Sequence, residues 1–265
     1  LKVLLIGAGR FGKNHARILA DKNILAAVYD IDFNTASKIG QQYGVKYHTS
    51  MNPTEFAPFD AAVVCTPSKT HVEIIRECLS MGLHVFVEKP ISHDFEEVRT
   101  LVKIADHLGL VLAVGMIERF TPGINEFRNK YKRLEFIRGS ITPKHIDTTI
   151  VWDTAIHDID LACYLSGSKP AYLEAEVTPD EVRLEILFKN ETTAGIHTKW
   201  GAERIRWLNA DGKRFDLSMV KYDKLETELQ NFVDACEGRA RFLVDPKEMI
   251  KLTSFLQVIS EKMVT

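Results

Sequence analysis

Four cysteines, Cys65, Cys78, Cys163 and Cys236, stand far apart in a chain of 265 residues and form no C-x-x-C pair. That spacing argues against a disulfide framework or a zinc site and suits a reducing compartment. No apolar run approaches the roughly 18–20 residues that cross a bilayer, so no membrane-spanning helix is expected. The opening run, Leu1 to Ile6, is too short for the core of a secretory signal. Charge of one sign is equally scarce. Against 34 Lys and Arg stand 36 Asp and Glu, a net charge of −2, which offers no general surface to nucleic acid or to a membrane. There is no internal repeat and no low-complexity tract. The expectation is a soluble cytoplasmic protein, 45% hydrophobic and 26% charged, long enough for two domains.

Against these absences the first thirty residues are rich in signal. Val3 to Ile6 is a short branched apolar run that leads directly into Gly7-Ala-Gly9-Arg10-Phe11-Gly12. A helix-compatible segment follows, and the next apolar run, Ile24 to Tyr29, is closed by Asp30. Strand, glycine turn, helix, strand and carboxylate is the order that holds a dinucleotide. Gly7 permits the tight turn, Gly9 lets backbone approach a pyrophosphate, and Gly12 lets the helix lie close on the strand. The helix N-terminus, with Arg10 and Phe11 before it, presents N–H groups and partial positive charge to phosphate. Asp30 is placed to accept hydrogen bonds from ribose hydroxyls and to repel a 2′-phosphate, which favours NAD over NADP. Asp32 is a second acid able to share or take that role.

From residue 1 to about 117 strands and helices alternate. Strands are expected near 2–6, 24–30, 45–48, 61–65, 83–87 and 111–115, and helices near 10–21, 33–42, 69–81 and 93–108, with Gly82 and Gly109 as C-terminal caps. Runs such as Ala61–Cys65 and Val111–Val114 are apolar on both faces, as in a parallel sheet covered by helices on each side. This is the doubly wound Rossmann pattern of an α/β fold. The rhythm changes after residue 118. Helices are expected at 123–131, 153–166, 224–237 and 246–262, and strands at 133–141, 171–178, 181–188, 193–200, 204–209 and 213–217. The second domain, 118–265, therefore reads as α+β on an open, mostly antiparallel sheet.

Four further constellations carry chemistry. Thr66-Pro67 and His71 follow the fourth strand, where open α/β sheets bind ligands; Thr66 and Pro67 are read as lining the cofactor, and His71 as a ligand contact or a hydrogen-bonding residue at a helix start. Glu88-Lys89-Pro90 ends the fifth strand. Lys89 is suited to stabilise a developing alkoxide, and Pro90 gives a fixed peptide, cis or trans, that aims the side chains. Asp153 and His157 stand i, i+4 at the start of a helix, so a carboxylate can orient an imidazole suited to taking a hydroxyl proton. Asp160 is read either as holding the other ring nitrogen or as a helix-start charge. Arg119, in Glu118-Arg119-Phe120-Thr121-Pro122, is read as a substrate contact or as a bridge between domains. His145, His197, Trp152, Trp200 and Trp207 are read as packing residues, with the edge of a cleft as the alternative. No metal site is expected.

With these residues on the page, the chain resembles the glucose–fructose oxidoreductase / inositol dehydrogenase / rhizopine-catabolism family of NAD(P)-dependent oxidoreductases. The carriers, in the family's order, are Gly7 to Gly12 with Asn14-His15, Thr66-Pro67 with His71, Glu88-Lys89-Pro90, and Asp153 with His157, Asp158 and Asp160. The resemblance implies a Rossmann domain followed by an α+β domain whose sheet makes homodimer or homotetramer contacts, and catalytic roles for Lys89, Asp153 and His157. Gly115 to Pro122 and Ala155 to Asp160 are most similar to nucleotide-sugar 3-dehydrogenases, which act on UDP-N-acetylglucosamine or its uronic acid. The chain is shorter than many relatives.

The expected reaction is hydride transfer between a sugar secondary alcohol, docked between the nicotinamide and the helix near Asp153, and bound NAD. His157 takes the hydroxyl proton with help from Asp153, and Lys89 stabilises the oxygen; the reverse assignment, Lys89 as base and His157 as orienter, stays open. Two other readings stand beside it: a dehydrogenase of a free polyol or aldose such as inositol, and a non-catalytic NAD(P)-sensing regulator.

Overall fold

Short β-branched runs with no polar interruption form strands that bury both faces. In the computed structural model, which describes residues 1–50, 58–143, 148–218 and 223–263, β1 (Val3–Ile6) and β4 (Ala61–Val64) are fully buried along their length. They are the centre of a six-stranded sheet with β2 (Leu25–Tyr29), β3 (Lys46–His48), β5 (His84–Glu88) and β6 (Leu112–Gly115), in the order β3-β2-β1-β4-β5-β6. Every pairing is parallel, so all carboxyl ends share one edge, and strand order reverses beside β1. That reversal is where open α/β sheets bind ligands. Four helices link the strands: α1 (Gly12–Asp21), α2 (Phe33–Tyr43), α3 (His71–Ser80) and α4 (Phe95–Leu108). Gly44 and Gly109 cap α2 and α4 in the left-handed conformation.

The chain divides into two compact units. The first joins Leu1–Gly115 to Leu225–Lys251; the second joins Met116–Lys224 to the stretch from Leu252. The return of 225–251 to the parallel sheet has a clear physical basis. Helix α6 (Lys224–Cys236) brings Leu229 and Phe232 into the core, where Phe232 packs edge-on to Phe86 at 5.7 Å between ring centroids and Phe242 does so at 6.3 Å.

One edge of this sheet carries a proton switch. His84 Nδ1 accepts the Val111 N–H at 3.0 Å, which only the ring form with a bare Nδ1 can do. Burial holds its pKa below the usual 6.5, against the opposing charge of Asp60. The unfolded chain therefore binds the proton more readily. The contribution is complete above pH 6.5 and is lost as pH falls through the folded-state value. Melting curves at about pH 5 and about pH 8 check this: wild type loses stability on acidification relative to His84→Asn, whose carbonyl keeps the acceptor without titrating.

The second unit is built on a six-stranded sheet of order β12-β11-β7-β10-β9-β8, comprising β7 (Arg133–Ser140), β8 (Pro170–Val177), β9 (Glu181–Phe188), β10 (Thr193–Trp200), β11 (Ile205–Ala210) and β12 (Lys213–Asp216). Only the β7–β10 pair is parallel. Alternation sorts the faces. Leu134, Phe136, Arg138, Val182, Leu184, Ile186, Ile196 and Trp200 point inward and are buried, whereas Ile137, Leu187 and Tyr172 stand exposed on the other face. Helix α5 (Ile156–Ser166) ends at left-handed Gly167, and α7 (Pro246–Ser260) closes the described fold.

Two expectations change here. The helix expected at 123–131 is replaced by a short 3₁₀ turn, Ile124–Phe127, which follows another at Ile117–Phe120. Gly123 and Asn129 both take positive φ, 82° and 57°, and the Asn129 N–H donates to the Leu165 carbonyl instead of continuing a helix. The helix expected from 153 begins with a π turn, Val151–Ala155, before α5 proper. No helix among the described residues is long and apolar enough to cross a membrane. His145 lies outside the described residues.

Candidate functional site

At the edge where β1 ends, packing distinguishes the three glycines. A Cβ on Gly7 (φ 89°) would stand 2.8 Å from the Cys65 carbonyl carbon, and one on Gly12 only 2.0 Å from the Gly7 oxygen. Both are excluded by neighbouring backbone. A Cβ on Gly9 would meet nothing within 4 Å. Its lack of a side chain keeps an open surface bare, which is what close approach of a pyrophosphate requires. No side chain caps α1, and Arg10 lies over the exposed ring of Phe11 at 4.7 Å. The loop fits the phosphate half of a dinucleotide.

Asp30 ties this loop to the next strand. Its Oδ2 accepts the Ala8 N–H at 2.8 Å and its Oδ1 accepts the Asp32 N–H at 2.9 Å. Each oxygen keeps a second lone pair for a ribose hydroxyl. Asp32 does different work from the shared ribose role read in the sequence. It is the N-cap of α2, accepting the Thr35 N–H at 2.7 Å, and hydrogen bonding from Thr35 holds its carboxyl below the usual range.

The ends of β4 and β5 come next on the same edge. His71 is buried, with Nδ1 2.8 Å from the Pro90 oxygen and Nε2 2.8 Å from the Thr66 oxygen. Pro67 is exposed, Thr66 and Lys89 are half-buried, and the Lys89–Pro90 peptide is cis. Glu88 receives the His15 Nε2–H at 2.7 Å. Burial pushes the Glu88 carboxyl up, but the hydrogen bond and charge of His15, with the charges of Lys89 and His71, hold it below the usual value. The Glu88 carboxylate therefore fixes the proton of His15 on Nε2, since it can only accept. His15 Nδ1 is buried with no hydrogen-bond partner.

In the second unit, Asp153 falls inside the π turn and His157 in the first turn of α5. A π turn holds more residues than an α turn, so four residues come closer to one full revolution and the pair still shares a face. A buried relay supports Asp153. Trp200 Nε1–H donates to Thr154 Oγ1 at 2.7 Å, and that hydroxyl donates to Asp153 Oδ2 at 3.2 Å. The indole can only donate, so it commits the Thr154 proton toward the carboxylate.

Beneath this segment lie two buried forks. Arg119 gives Asp160 a bidentate pair, at 2.8 and 2.6 Å, and stacks on Tyr164 at 4.7 Å. Arg138 gives Asp158 another, both bonds at 2.7 Å, and reaches Glu118 Oε1 at 3.2 Å. Glu118 also accepts from Lys224 at 2.7 Å and from Arg206 at 3.2 Å. Burial alone would raise the Glu118 carboxyl; the charges of Arg138, Lys224 and His157 and the Lys224 hydrogen bond hold it far below the carboxylate range. Burial opposes the charge of Arg138, but Asp158 and Glu118 raise its pKa above the usual arginine value.

The structure thus gathers Gly7, Gly9, Gly12, Asp30, Thr66, Pro67, His71, Glu88, Lys89 and Pro90 at one edge of the parallel sheet, and Asp153 with His157 at one helix start. Arg119 has a place the sequence does not suggest: 3% exposed, it is the ion-pair partner of Asp160. Both Asp160 oxygens accept from that guanidinium. Sequence reasoning missed the parts played by His15, Glu118, Arg138, Asp158 and Thr154, and it read Trp200 as packing, with the edge of a cleft as the alternative. Arg138 did leave a trace, since it occupies the inward register of β7 after Leu134 and Phe136.

Residues 1–116 match the model of the oxidoreductase family, NAD-binding Rossmann fold. The chain is 30% identical over 177 residues to the UDP-N-acetylglucosamine 3-dehydrogenase of Acidithiobacillus ferrooxidans, covering 64% of this chain and 56% of that one. It is 34% identical over 187 residues to an inositol 2-dehydrogenase of Rhizobium meliloti, with the same two shares, 64% and 56%. The chain thus spans a little over half the length of these curated relatives. A solved structure of UDP-N-acetylglucosamine 3-dehydrogenase from Acidithiobacillus ferrooxidans superposes with a TM-score of 0.91 over 99% of this chain and 97% of that one, at 24% identity, and shares its fold.

Proposed function

We propose, from the match of residues 1–116 to the model of the oxidoreductase family, NAD-binding Rossmann fold, that this chain is a dehydrogenase of sugar secondary alcohols that uses NAD in preference to NADP. The observation that carries the reading is the glycine loop, closed to side chains at Gly7 and Gly12 and bare at Gly9, with the Asp30 carboxylate bound to its Ala8 amide. The chemistry a nicotinamide supplies when bound is acceptance or donation of a hydride at the carbinol carbon. The chain's own residues do the rest. Gly9 and the N-terminus of α1 receive phosphate, and Asp30 accepts from ribose hydroxyls. His157 takes the hydroxyl proton, Asp153 orients its ring, and Lys89 donates to the oxygen as negative charge develops there.

The favoured substrate is the 3-hydroxyl of a UDP-N-acetylhexosamine. The inositol 2-dehydrogenase relative at 34% identity supports a free polyol as the second reading. A panel of UDP-sugars and free polyols at matched concentration, followed by NADH absorbance, tests both. Turnover confined to free polyols overturns the nucleotide-sugar assignment, and no turnover with any sugar overturns the dehydrogenase. The same panel run with NADP tests the role of Asp30. The open face of the second-unit sheet, with Ile137, Leu187 and Tyr172 exposed on it, is the surface we assign to homodimer or homotetramer contacts; a monomer in sedimentation overturns that assignment.

The Thr154 relay gives a sharper expectation. Thr154→Val keeps the shape, strands the buried Trp200 N–H and removes the donor to Asp153. Stability falls by about 1–3 kcal/mol, and kcat falls about tenfold with KM little changed, a fraction of the general-base contribution. Thr154→Ser restores both. Equal kcat in Thr154→Val would remove the relay from the mechanism.

A further inference from the structure

His71 opens α3 at 1% exposure with each ring nitrogen set on a main-chain oxygen, Pro90 on one side and Thr66 on the other, both at 2.8 Å. Carbonyl oxygens only accept. A neutral imidazole carries one N–H and one bare lone pair, so either tautomer would oppose lone pair to lone pair at one of these two short contacts. Only the imidazolium donates to both. We propose that His71 is a fixed imidazolium, a positioning residue that ties the loop after β4 to Pro90 and thereby fixes the backbone carrying Lys89.

The charges around the ring suit this state. A buried cation needs a compensating partner. Glu88, at the end of β5, is a carboxylate held below the usual value, and a charge on His71 is among the effects that favour its ionised form. The other charged groups gathered on Glu88 are His15 from α1, which spends its Nε2–H there, and Lys89 beside it. The two carbonyls add charge-assisted hydrogen bonds that favour the doubly protonated ring over either neutral form. Both N–H groups are committed to main chain, so His71 acts by holding Thr66 and Pro90 rather than by a polar contact to a ligand. The protonation state stands on this geometry alone; its effect on Lys89 chemistry rests on the dehydrogenase reading.

The test uses the whole chain with ¹⁵N-labelled histidine and no added dinucleotide or sugar. Between about pH 6 and about pH 9, across the ordinary histidine range, the ring assigned to His71 by through-bond correlation keeps both nitrogens in the protonated range. A His71 ring that loses a proton near 6.5, or that is neutral throughout, overturns the proposal. His71→Gln, which keeps one donor and loses the charge, shifts the Lys89 backbone amide and leaves the amides of β9 and β10 in place. In turnover it lowers kcat by about 10- to 100-fold, with a smaller change in KM for NAD. An unmoved Lys89 amide or an unchanged kcat removes the positioning role. A wild-type chain without turnover sinks the dehydrogenase reading, while the ring spectrum and the Lys89 amide still decide the imidazolium and its hold on the loop.

Discussion

His157→Ala lowers kcat by about 10²- to 10⁴-fold, the contribution of a well-placed general base, and leaves NAD affinity unchanged. The two effects separate because the groups assigned to the dinucleotide, Gly9 and Asp30, stand on the first unit, whereas His157 stands on the second. In the proposed step, the positive charge that forms when His157 takes a proton is one that favours the ionised form of Glu118. The Glu118 charge is fixed in advance by Arg138 and Lys224 and needs no reorganisation during the step. Asp153→Ala/His157→Ala together cost about as much as His157→Ala alone, since the carboxylate acts only through the ring. Lys89→Met costs about 10²- to 10³-fold by removing the donor to the oxygen. The check is steady-state turnover with the sugar identified by the substrate panel, alongside dinucleotide binding measured by calorimetry. Wild-type kcat in His157→Ala ends the assignment, and a loss confined to NAD affinity would move His157 into cofactor binding. If Lys89→Met abolishes the acidic limb of the pH profile for alcohol oxidation, where the essential base becomes protonated, while His157→Ala only weakens it, the two residues exchange roles.

How much of this was legible depends on what leaves a compositional trace. The parallel sheet did, because strands buried on both faces, such as Val3–Ile6 and Ala61–Val64, are unbroken apolar runs, and the turn at Gly7 demands glycine. The second sheet did through alternation, as in Glu181–Phe188. The segment 123–131 did not: Ile124 and Phe127 are spaced for a helix, but left-handed Gly123 and Asn129 break it. A π turn leaves no trace either, because Val151–Ala155 differs from an α turn only in which carbonyl each N–H finds. The return of 225–251 to the first unit was hidden since an amphipathic helix advertises an apolar face, not the partner of Leu229 and Phe232. Buried charge was the hardest to read. Arg119 and Asp160 are 41 residues apart, and charged side chains are so often exposed that each looks like surface until its partner is known. Asp32 was ambiguous for a related reason: an acid after a strand is also an acid before a helix, and here the helix claims it.

Asp158→Ala destabilises the second unit by about 3–5 kcal/mol, the cost of leaving a buried charge without its partner. Arg138 is 3% exposed and its guanidinium would keep only the longer contacts to Glu118, at 3.2 Å against 2.7 Å for the lost pair. Thr198, whose hydroxyl lies 3.4 Å from Asp158, would lose an acceptor as well. The contrast is Arg133–Glu185 on the exposed sheet face, also bidentate, at 2.6 and 2.9 Å. Solvent screens that pair, so Glu185→Ala costs about 0–1 kcal/mol. Equal contact geometry with unequal burial isolates desolvation as the deciding quantity. Tryptophan reports on the right unit, because all three residues, Trp152, Trp200 and Trp207, lie in the second one. Urea unfolding followed by fluorescence therefore reads its stability directly. Asp158→Leu/Arg138→Met recovers part of the loss, since the stranded guanidinium is gone while Glu118 keeps Lys224 and Arg206 as partners. Acid gives the same answer by another route. The Glu118 carboxyl is held below its unfolded value of 4.5, so its stabilisation is complete above that pH and is lost as pH falls toward the folded-state value. Asp158→Ala as mild as Glu185→Ala, or a second unit indifferent to acid below pH 4.5, would mean that these forks do not hold the helix start in place.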